Sequence, residues 1–358
     1  MGVLGWERTS QLGQVGALPI APSCGKPSVA APNKSYFGQR SARTTFPETD
    51  KGSPMTAPQK LSPQRAVVEL VIASVIWGAS FPAAKFALMS FGPLWTCSIR
   101  FLLATTLALP FCFLSSRRKF WKKSLVRLSL LPGVLMGATL VLQNAGLQET
   151  SVTKSSFITV LYIVLVPIFS QAFFKTRVGL SHFFWVGVAL LGTALICELE
   201  TGNWNRGDLL TLGCAITASF HILCLEKLAK QIESPFLFNS LQSFWAGLIP
   251  LLFAFFWDDI HHFPPLWEST LAILWLSIAV TLISFLVQIR SQQILSAEVV
   301  SMLFLLESPL AALFAYFLFS EKLDGSQWFG AFLILLAAAG ALRSQVFKDH
   351  AKSIPLAP

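Results

Sequence analysis

Four charged residues lie within long apolar runs of this chain, where an ionised side chain is unfavourable. They are Lys85, Arg100, Glu226 and Glu307. A charge near the centre of a hydrocarbon layer costs about 3 kcal/mol on insertion scales, so such a residue usually faces a cavity or a partner. Glu307 is the deepest of the four, in "FLLESPLAALFAYFLFSEK" (304–322). We interpret it either as a contact for a substrate or a proton, or as half of a structural ion pair with Arg100 or Lys85.

The other charged residues allow simpler interpretations. Lys85 is near the end of its run, where the ammonium can reach the membrane surface along its apolar stem. Glu226 precedes Lys227 and indicates an interfacial charge. Uncharged polar side chains also recur within the runs, and each could bond a neighbouring helix. Together they predict a polar cavity between helices, lined by Gln143, Asn144, Tyr162, His221, Gln288 and Gln292.

The segment "WGASFP" (77–82) combines small residues with a proline. Small side chains allow close approach of another helix, and Pro82 removes one backbone hydrogen bond and can kink its own helix. Trp77 is therefore a candidate substrate contact, and Gly78 and Pro82 are candidate gating residues. Tight helix packing alone explains the segment equally well.

The apolar runs place these residues in a membrane protein. Hydrophobic residues make up 54% of the 358 residues and charged residues 13%, whereas soluble domains have about 25% charged residues. A helix needs about 20 apolar residues to cross a hydrocarbon core about 30 Å thick. The sequence predicts an all-α polytopic membrane protein with ten transmembrane helices. They cover roughly 66–89, 92–114, 126–147, 151–174, 179–198, 208–229, 236–257, 268–290, 297–319 and 325–344.

Basic residues in the loops predict the orientation of the chain, because cytoplasmic loops are enriched in Lys and Arg. The segment 117–127, "RRKFWKKSLVR", follows the second span, and the other basic loops fall on the same side when there are ten spans. Both termini are therefore expected in the cytoplasm. The net charge of +9 is explained by these loops, and nucleic acid is not expected as a partner.

The segments outside the spans are polar tails. Residues 1–65 are rich in Pro, Gly and Ser, which predicts disorder. From Arg8 to Pro47 there is no acidic residue, a composition typical of an organelle transit peptide. A cytosolic tail, or an extension upstream of a start at Met55, explains the segment as well. Residues 345–358 are expected to form a cytoplasmic C-terminal tail.

The two halves of the membrane region resemble each other. Residues 155–174 align with 297–319 when Pro167 is set on Pro309, which places Leu165 opposite Glu307. Both prolines are then candidate structural or gating residues. Five spans per half force the second half to enter from the opposite face, so the repeats are inverted. Transporters use this arrangement, with the substrate bound near the midplane between the repeats.

Several segments resemble the EamA-type permeases of the drug/metabolite transporter superfamily. They are "VIWGASFPAAKFAL" (75–88), "RFLLA" (100–104), "LQNAGLQETSVTKSSFITVLYIVLVP" (142–167) and "QQILSAEVVSMLFLLESPLAALFAYFLFSEK" (292–322). The resemblance implies two five-helix EamA repeats, 66–198 and 199–344, with a central cavity lined by spans three, four, eight and nine. It also implies a carrier, most often an exporter, of a small polar metabolite. The family usually has Glu-Pro where this chain has Glu307-Ser308-Pro309.

We therefore expect a secondary transporter that works by alternating access, and not an enzyme, because the sequence has no Walker loop, HExxH or GxSxG. No cofactor or metal is expected. The expected partners are a small-molecule substrate and the lipid bilayer, with protons and a second copy of the chain left open. The expected location is a bacterial plasma membrane. The alternatives are an exchanger of a plastid or other organelle membrane, and a non-transporting scaffold or intramembrane enzyme.

Overall fold

The computed structural model describes residues 61–113, 122–176, 179–196 and 204–353. Within these ranges the chain is helical, apart from turns and one isolated β-bridge between Phe91 and Ile260. The helices, numbered here in chain order, are α1 (Pro63–Gly78), α2 (Ser80–Ala87), α3 (Pro93–Cys112), α4 (Lys123–Glu149), α5 (Val152–Thr159), α6 (Tyr162–Phe174), α7 (Leu180–Ile196), α8 (Arg206–Leu228), α9 (Pro235–Trp257), α10 (Trp267–Trp275), α11 (Phe285–Gln292), α12 (Ala297–Phe304), α13 (Glu307–Phe319) and α14 (Gly325–Ser353). A π-helical segment, Leu276–Ser284, joins α10 to α11.

Among the described residues, eight helical stretches are long and apolar enough to cross a membrane. Two shorter apolar helices, Leu180–Ile196 and Gly325–Gly340, bring the number to ten, and each of the ten coincides with a predicted span. The prediction of an all-α membrane protein with ten apolar helices is confirmed. The eight longer stretches are Pro63–Ala87, Pro93–Cys112, Lys123–Glu149, Val152–Phe174, Arg206–Gln231, Pro235–Trp257, Trp267–Gln292 and Ala297–Phe319.

Some predicted features are outside this description. Residues 1–60 of the N-terminal tail, the basic residues up to 121, Arg177 and residues 354–358 lie outside the described residues. The C-terminal segment expected as a tail from residue 345 begins as a continuation of α14, which extends to Ser353. The boundary between two repeats near residue 198 stays a prediction.

Three of the membrane-spanning stretches are broken helices. The first span breaks after Gly78, the fourth at Val160–Leu161 and the ninth at Leu305–Leu306. Pro82 is the third residue of α2 and Pro309 the third of α13. A proline in the first turn of a helix is well tolerated, because its missing N–H has no partner within the helix there. Both prolines therefore fit the starts of new helical segments.

The helix bounds give a different repeat alignment from the one based on the prolines. In the fourth span the first helix begins at Val152, and the second begins at Tyr162 and ends at Phe174. In the ninth span the corresponding residues are Ala297, Glu307 and Phe319. Lys175 and Ser320 then close the two spans in the left-handed conformation, with φ of 53° and 56°. The counterpart of Glu307 is consequently Tyr162, and the predicted counterpart Leu165 was wrong. Pro167 lies in the interior of α6 and has no equivalence with Pro309.

The two shorter apolar helices pack against each other in opposite directions. Gly192 of α7 faces Gly330 of α14, and Trp185 faces Gly340, so an earlier position on one helix contacts a later one on the other. A Cβ on either Gly192 or Gly330 would lie 2.6 Å from the carbonyl oxygen of the other. Small residues allow this close contact within a bilayer. An antiparallel pairing of the fifth and tenth spans is what inverted repeats require.

Candidate functional site: a central cavity between the membrane helices

A cavity of about 80 Å³ lies between the membrane-spanning helices. Its wall combines a carboxylate, a guanidinium, two amides and an imidazole with an aromatic surface. The contributing spans are the first, second, third, fourth, sixth, eighth and ninth. The lining residues are Trp77, Ser80, Arg100, Met136, Thr139, Leu140, Gln143, Thr159, Tyr162, Ala218, His221, Ile222, Val280, Phe285, Gln288, Phe304 and Glu307.

Glu307 enters the cavity from the break in the ninth span. It is the first residue of α13 and is 7% exposed. A negative charge is favoured in the first turn of a helix, because the unpaired N–H groups there carry partial positive charge. Its Oε2 accepts a hydrogen bond from the Tyr162 hydroxyl at 3.2 Å. The two residues at equivalent positions of the two breaks therefore meet in the cavity wall.

Close packing of the first span supports this position. A Cβ on Gly78 would lie 2.7 Å from the Cβ of Leu310 and 3.0 Å from the carbonyl oxygen of Glu307. A larger residue at this position would displace the start of α13. Gly78 thus affects the cavity by packing against the backbone that carries Glu307, and its own position does not line the cavity.

Arg100 enters the cavity from α3. The residue is 1% exposed, its Nε donates to Thr281 Oγ1 at 3.3 Å, and its Cζ lies 5.0 Å from the centre of the Phe101 ring. Its Nη2 is buried and has no hydrogen-bond partner among the described residues. No ion pair between Arg100 and Glu307 is present in the described part of the chain. The predicted structural ion pair for Glu307 is thus absent from this conformation.

A chain of side-chain amides connects His221 to the π-helical segment. His221 Nε2 lies 3.5 Å from Gln242 Oε1, and Gln242 Nε2 donates to Asn239 Oδ1 at 3.0 Å. Asn239 Nδ2 in turn donates to the backbone oxygen of Thr281 at 2.9 Å. Thr281, whose hydroxyl accepts a hydrogen bond from Arg100, therefore also accepts the last hydrogen bond of this series of amides. These contacts hold the histidine and arginine sides of the cavity in one arrangement.

Aromatic rings form the apolar part of the wall. Trp77 is at the centre, with its ring 4.5 Å from that of Phe304 and 5.4 Å from that of Phe285, both edge to face. Tyr162 extends the contact to Phe304 at 6.3 Å, and His221 contacts Phe285 at 6.0 Å. Such edge-to-face contacts are favourable beyond the area they bury. The cavity can therefore hold a ligand with both a polar and an apolar part.

The structure brings together seven of the ten predicted substrate or coupling residues and leaves three elsewhere. The Lys85 ammonium donates to the backbone oxygens of Leu147 and Thr150. Asn144 Nδ2 donates to the backbone oxygen of Pro93 at 3.4 Å. Gln292 donates to the backbone oxygen of Ile222 at 2.8 Å and accepts from Gln288. The seven in the cavity wall are Trp77, Arg100, Gln143, Tyr162, His221, Gln288 and Glu307.

Other lining residues were not predicted from the sequence. Met136, Thr139, Leu140 and Gln143 follow the spacing of one face of a helix, and only Gln143 was singled out. The same rule, extended by two turns from Gln143 toward the N-terminus of α4, would have found the other three. Asn239 and Gln242 are polar residues of the predicted span 236–257 and carried the same signal, but they were not singled out. They act on the cavity through their contacts with His221 and Thr281.

Beyond the cavity, the N-terminus of α5 is fixed by residues from two other parts of the chain. Glu321 accepts from the backbone N–H of Val152 at 3.1 Å and of Thr153 at 3.1 Å, and also from the Thr153 hydroxyl. The Lys154 ammonium lies 2.7 Å from Asp208 Oδ2, whose carboxylate is fully buried. We call these five residues the α5 clamp. Since Thr159 at the other end of α5 lines the cavity, the clamp and the cavity share one helix.

Comparisons with known proteins agree with this architecture. The EamA-like transporter family matches residues 64–197 and 205–343. An uncharacterized transporter of Archaeoglobus fulgidus is 29% identical over 272 residues, which cover 75% of this chain and 82% of that protein. A solved structure described as "Crystal structure of protein" is similar in fold, with a TM-score of 0.61 and 16% identity over 78% of this chain and 97% of that one.

Proposed function

Because the chain belongs to the EamA-like transporter family, we propose that it is a secondary carrier that exports a small polar metabolite. The observation that supports this most directly is the cavity, where Glu307 and Arg100 are buried without pairing with each other. Ionisable groups within membrane helices commonly mark substrate or ion pathways. A substrate bound here is surrounded by residues from both predicted repeats.

The proposed mechanism is alternating access, in which the two repeats rock around the cavity. We propose that the α5 clamp closes one end in this conformation, because Glu321 and Asp208 of the predicted second repeat bind α5 of the predicted first repeat. Thr150 adds a hydrogen bond to Asp208 Oδ1 at 2.8 Å. Opening of this end requires these contacts to break. The clamp is therefore the gate of this face in our proposal.

The opposite end has an exposed ion pair between Lys122 and Glu233 at 2.9 Å, which contributes little because both side chains are in solvent, and two further contacts. Ser170 donates to Glu298 Oε1 at 2.9 Å, and Arg290 lies 3.9 Å from Glu69. The position equivalent to Glu321 is Thr176, whose hydroxyl lies 2.6 Å from that of Ser170. At the clamped end the Glu321 carboxylate thus caps the N-terminus of α5, whereas the equivalent position at the other end, Thr176, has a hydroxyl. This difference supports a conformation that is closed at the clamped end.

We propose that Glu307 couples transport to protons, with exchange and facilitated transport as the alternatives. A carboxylate that loses its hydrogen bond to Tyr162 can bind a proton or the substrate in turn. Competition between the proton and the substrate for this carboxylate links the movement of one across the membrane to the movement of the other. A ligand shifts the equilibrium between the two conformations of a carrier only through its different affinity for them. The tyrosine hydroxyl supplies one hydrogen bond in this conformation, and its loss is part of the exchange.

The test is a flux measurement with the purified full-length protein in liposomes. Radiolabelled amino acids, nucleosides, amines and sugars are screened for uptake and efflux with and without an imposed pH gradient. We expect flux of at least one compound, a response to the gradient in the wild type, and loss of that response in Glu307→Gln. Glu149→Gln, which changes an exposed carboxylate, is the matched control and should behave as the wild type does. An unchanged pH response in Glu307→Gln would exclude this residue from coupling.

The basic loops support a cytoplasmic location of both termini, and a bacterial plasma membrane is the proposed location. The acid-free composition of residues 8–47 favours the alternative, an exchanger of a plastid or other organelle membrane. Sequencing the N-terminus of the mature protein distinguishes the two. Cleavage near Met55 supports import into an organelle, and an intact tail contradicts it. A non-transporting scaffold or an intramembrane enzyme is expected to give no flux in the liposome assay.

A further inference from the structure

Arg100 carries a buried positive charge whose hydrogen bonds are incomplete. Its Nε donates to Thr281 Oγ1, and the Thr281 hydroxyl itself donates to the backbone oxygen of Leu276 at 2.8 Å. The Nη2 group is buried without a partner among the described residues, and the Arg100 residue lines the cavity. A guanidinium has five N–H donors, and an unpaired buried donor is unfavourable. A ligand with an acceptor group can complete this set.

No carboxylate of the described residues neutralises this charge. Glu307 lines the same cavity, but the contact it makes is with the Tyr162 hydroxyl. The Phe101 ring, whose centre lies 5.0 Å from Arg100 Cζ, offers a cation–π contact, which is weaker than an anionic partner. A buried charge that lacks a counter-ion is strongly destabilising. The arginine is thus set up for an anion that is brought into the cavity.

We infer that Arg100 anchors the carboxylate of the transported molecule, and that the substrates are small metabolites with a single carboxylate. This inference rests on the proposed function and names the substrate class of the same cavity. The planar guanidinium matches a carboxylate in a two-point contact. A phosphate monoester would bring a second negative charge close to Glu307, which one arginine does not offset. The Trp77 and Phe285 rings take the apolar part of the molecule.

The experiment measures ligand-dependent thermal unfolding of the purified full-length protein in detergent. Three acid–amide pairs are compared, namely lactate with lactamide, alanine with alaninamide, and benzoate with benzamide, together with inorganic phosphate. Within each pair the two compounds differ at the carboxylate. We expect at least one acid to raise the unfolding temperature by about 2 °C or more at saturation, and its amide to have no effect.

Two arginine variants locate the effect. Arg100→Gln should lose the stabilisation by the acid, whereas Arg127→Gln, which also removes one positive charge but at an exposed position of α4, should keep it. If Arg100→Gln does not fold, Arg100→Met provides an apolar replacement of similar length, and the comparison of acids with amides in the wild type is independent of any variant. Stabilisation of Arg100→Gln or Arg100→Met by the acid as in the wild type would overturn the inference.

The remaining outcomes also decide the question. Equal effects of acid and amide, no effect of any acid, or stabilisation by alaninamide or phosphate alone would each overturn a carboxylate anchor. These results would leave the proposed transport intact wherever liposomes containing the protein still move another compound. Conversely, acid-specific binding without any flux would contradict the proposed function and retain the carboxylate site. The two claims therefore fail separately.

Discussion

Replacement of Glu321 by Gln should release the N-terminus of α5 and open the clamped end of the protein. The first N–H groups of a helix have no partner within it. In α5 the backbone N–H groups of Val152 and Thr153 donate to Glu321, and the backbone N–H of Lys154 donates to the Ser151 side chain. A glutamine side chain has one acceptor oxygen and presents N–H donors in place of the other. At least one backbone N–H of α5 would then be unpaired.

The size of the effect follows from these contacts. One hydrogen bond to the backbone contributes about 0.5–1.5 kcal/mol, and a negative charge at a helix N-terminus about 0.3–1 kcal/mol. The closed conformation should therefore lose about 1–2 kcal/mol, which lowers the ratio of closed to open molecules by about 5- to 30-fold. The effect should be largest for opening at this end, because the contact joins α5 to a residue that follows α13.

The assay is the rate at which a maleimide modifies a cysteine introduced behind the clamp. Ser155 is fully buried one turn further along α5, and Ser155→Cys is made in a protein whose six native cysteines are replaced. Glu321→Gln should increase the rate about 5-fold or more. Glu149→Gln is the control, because an exposed carboxylate 3.9 Å from Arg206 contributes little. Equal rates in Glu321→Gln and the parent protein would refute the role of the clamp as a gate.

Two further predictions concern the contacts that hold the helices together, each measured by thermal unfolding in detergent. Gly330→Ala should destabilise the protein by about 1–3 kcal/mol, because the new Cβ meets the carbonyl oxygen of Gly192 at 2.6 Å. The control Gly187→Ala should not destabilise it, because its Cβ meets no atom within 4 Å. Equal effects of the two variants would contradict the packing of α7 against α14. Asp258→Ala should cost about 1 kcal/mol, because this carboxylate accepts from the backbone N–H groups of Leu94 and Trp95. Asp259→Ala is the control without such contacts, and a loss as large as that of Asp258→Ala would refute the cap.

The positions of the membrane helices could be predicted because a bilayer imposes a simple rule on the sequence. Every backbone group in the hydrocarbon must be paired, so a spanning segment is a long apolar helix. The breaks within the spans were harder to predict from the sequence. The break at Val160–Leu161 contains no glycine or proline, so no local residue marks it, whereas the break at Leu305–Leu306 is followed by Pro309 in the first turn of α13. The prolines instead suggested an alignment that paired Glu307 with Leu165.

The candidate site could be predicted in composition and only partly in geometry. Polar residues in apolar spans are rare, so the sequence identified Glu307, Arg100 and Tyr162 as members of a cavity. It gave no basis for separating them from Asn144 and Gln292, because a difference in rotation about the helix axis decides whether a side chain reaches the cavity. The acceptor of Arg100 lies in a π-helical segment, which the apolar pattern of the span does not distinguish from an α-helix.

The most direct test of the account is to fill the cavity and measure flux in liposomes. Ala218 lines the cavity, and Ile216, two residues earlier on α8, is 39% exposed on the outer surface of the bundle. With a compound that the wild type transports, Ala218→Trp should abolish flux, while Ile216→Trp should retain it at a rate close to that of the wild type. Transport by a correctly folded Ala218→Trp protein at the wild-type rate would show that the substrate does not pass through this cavity.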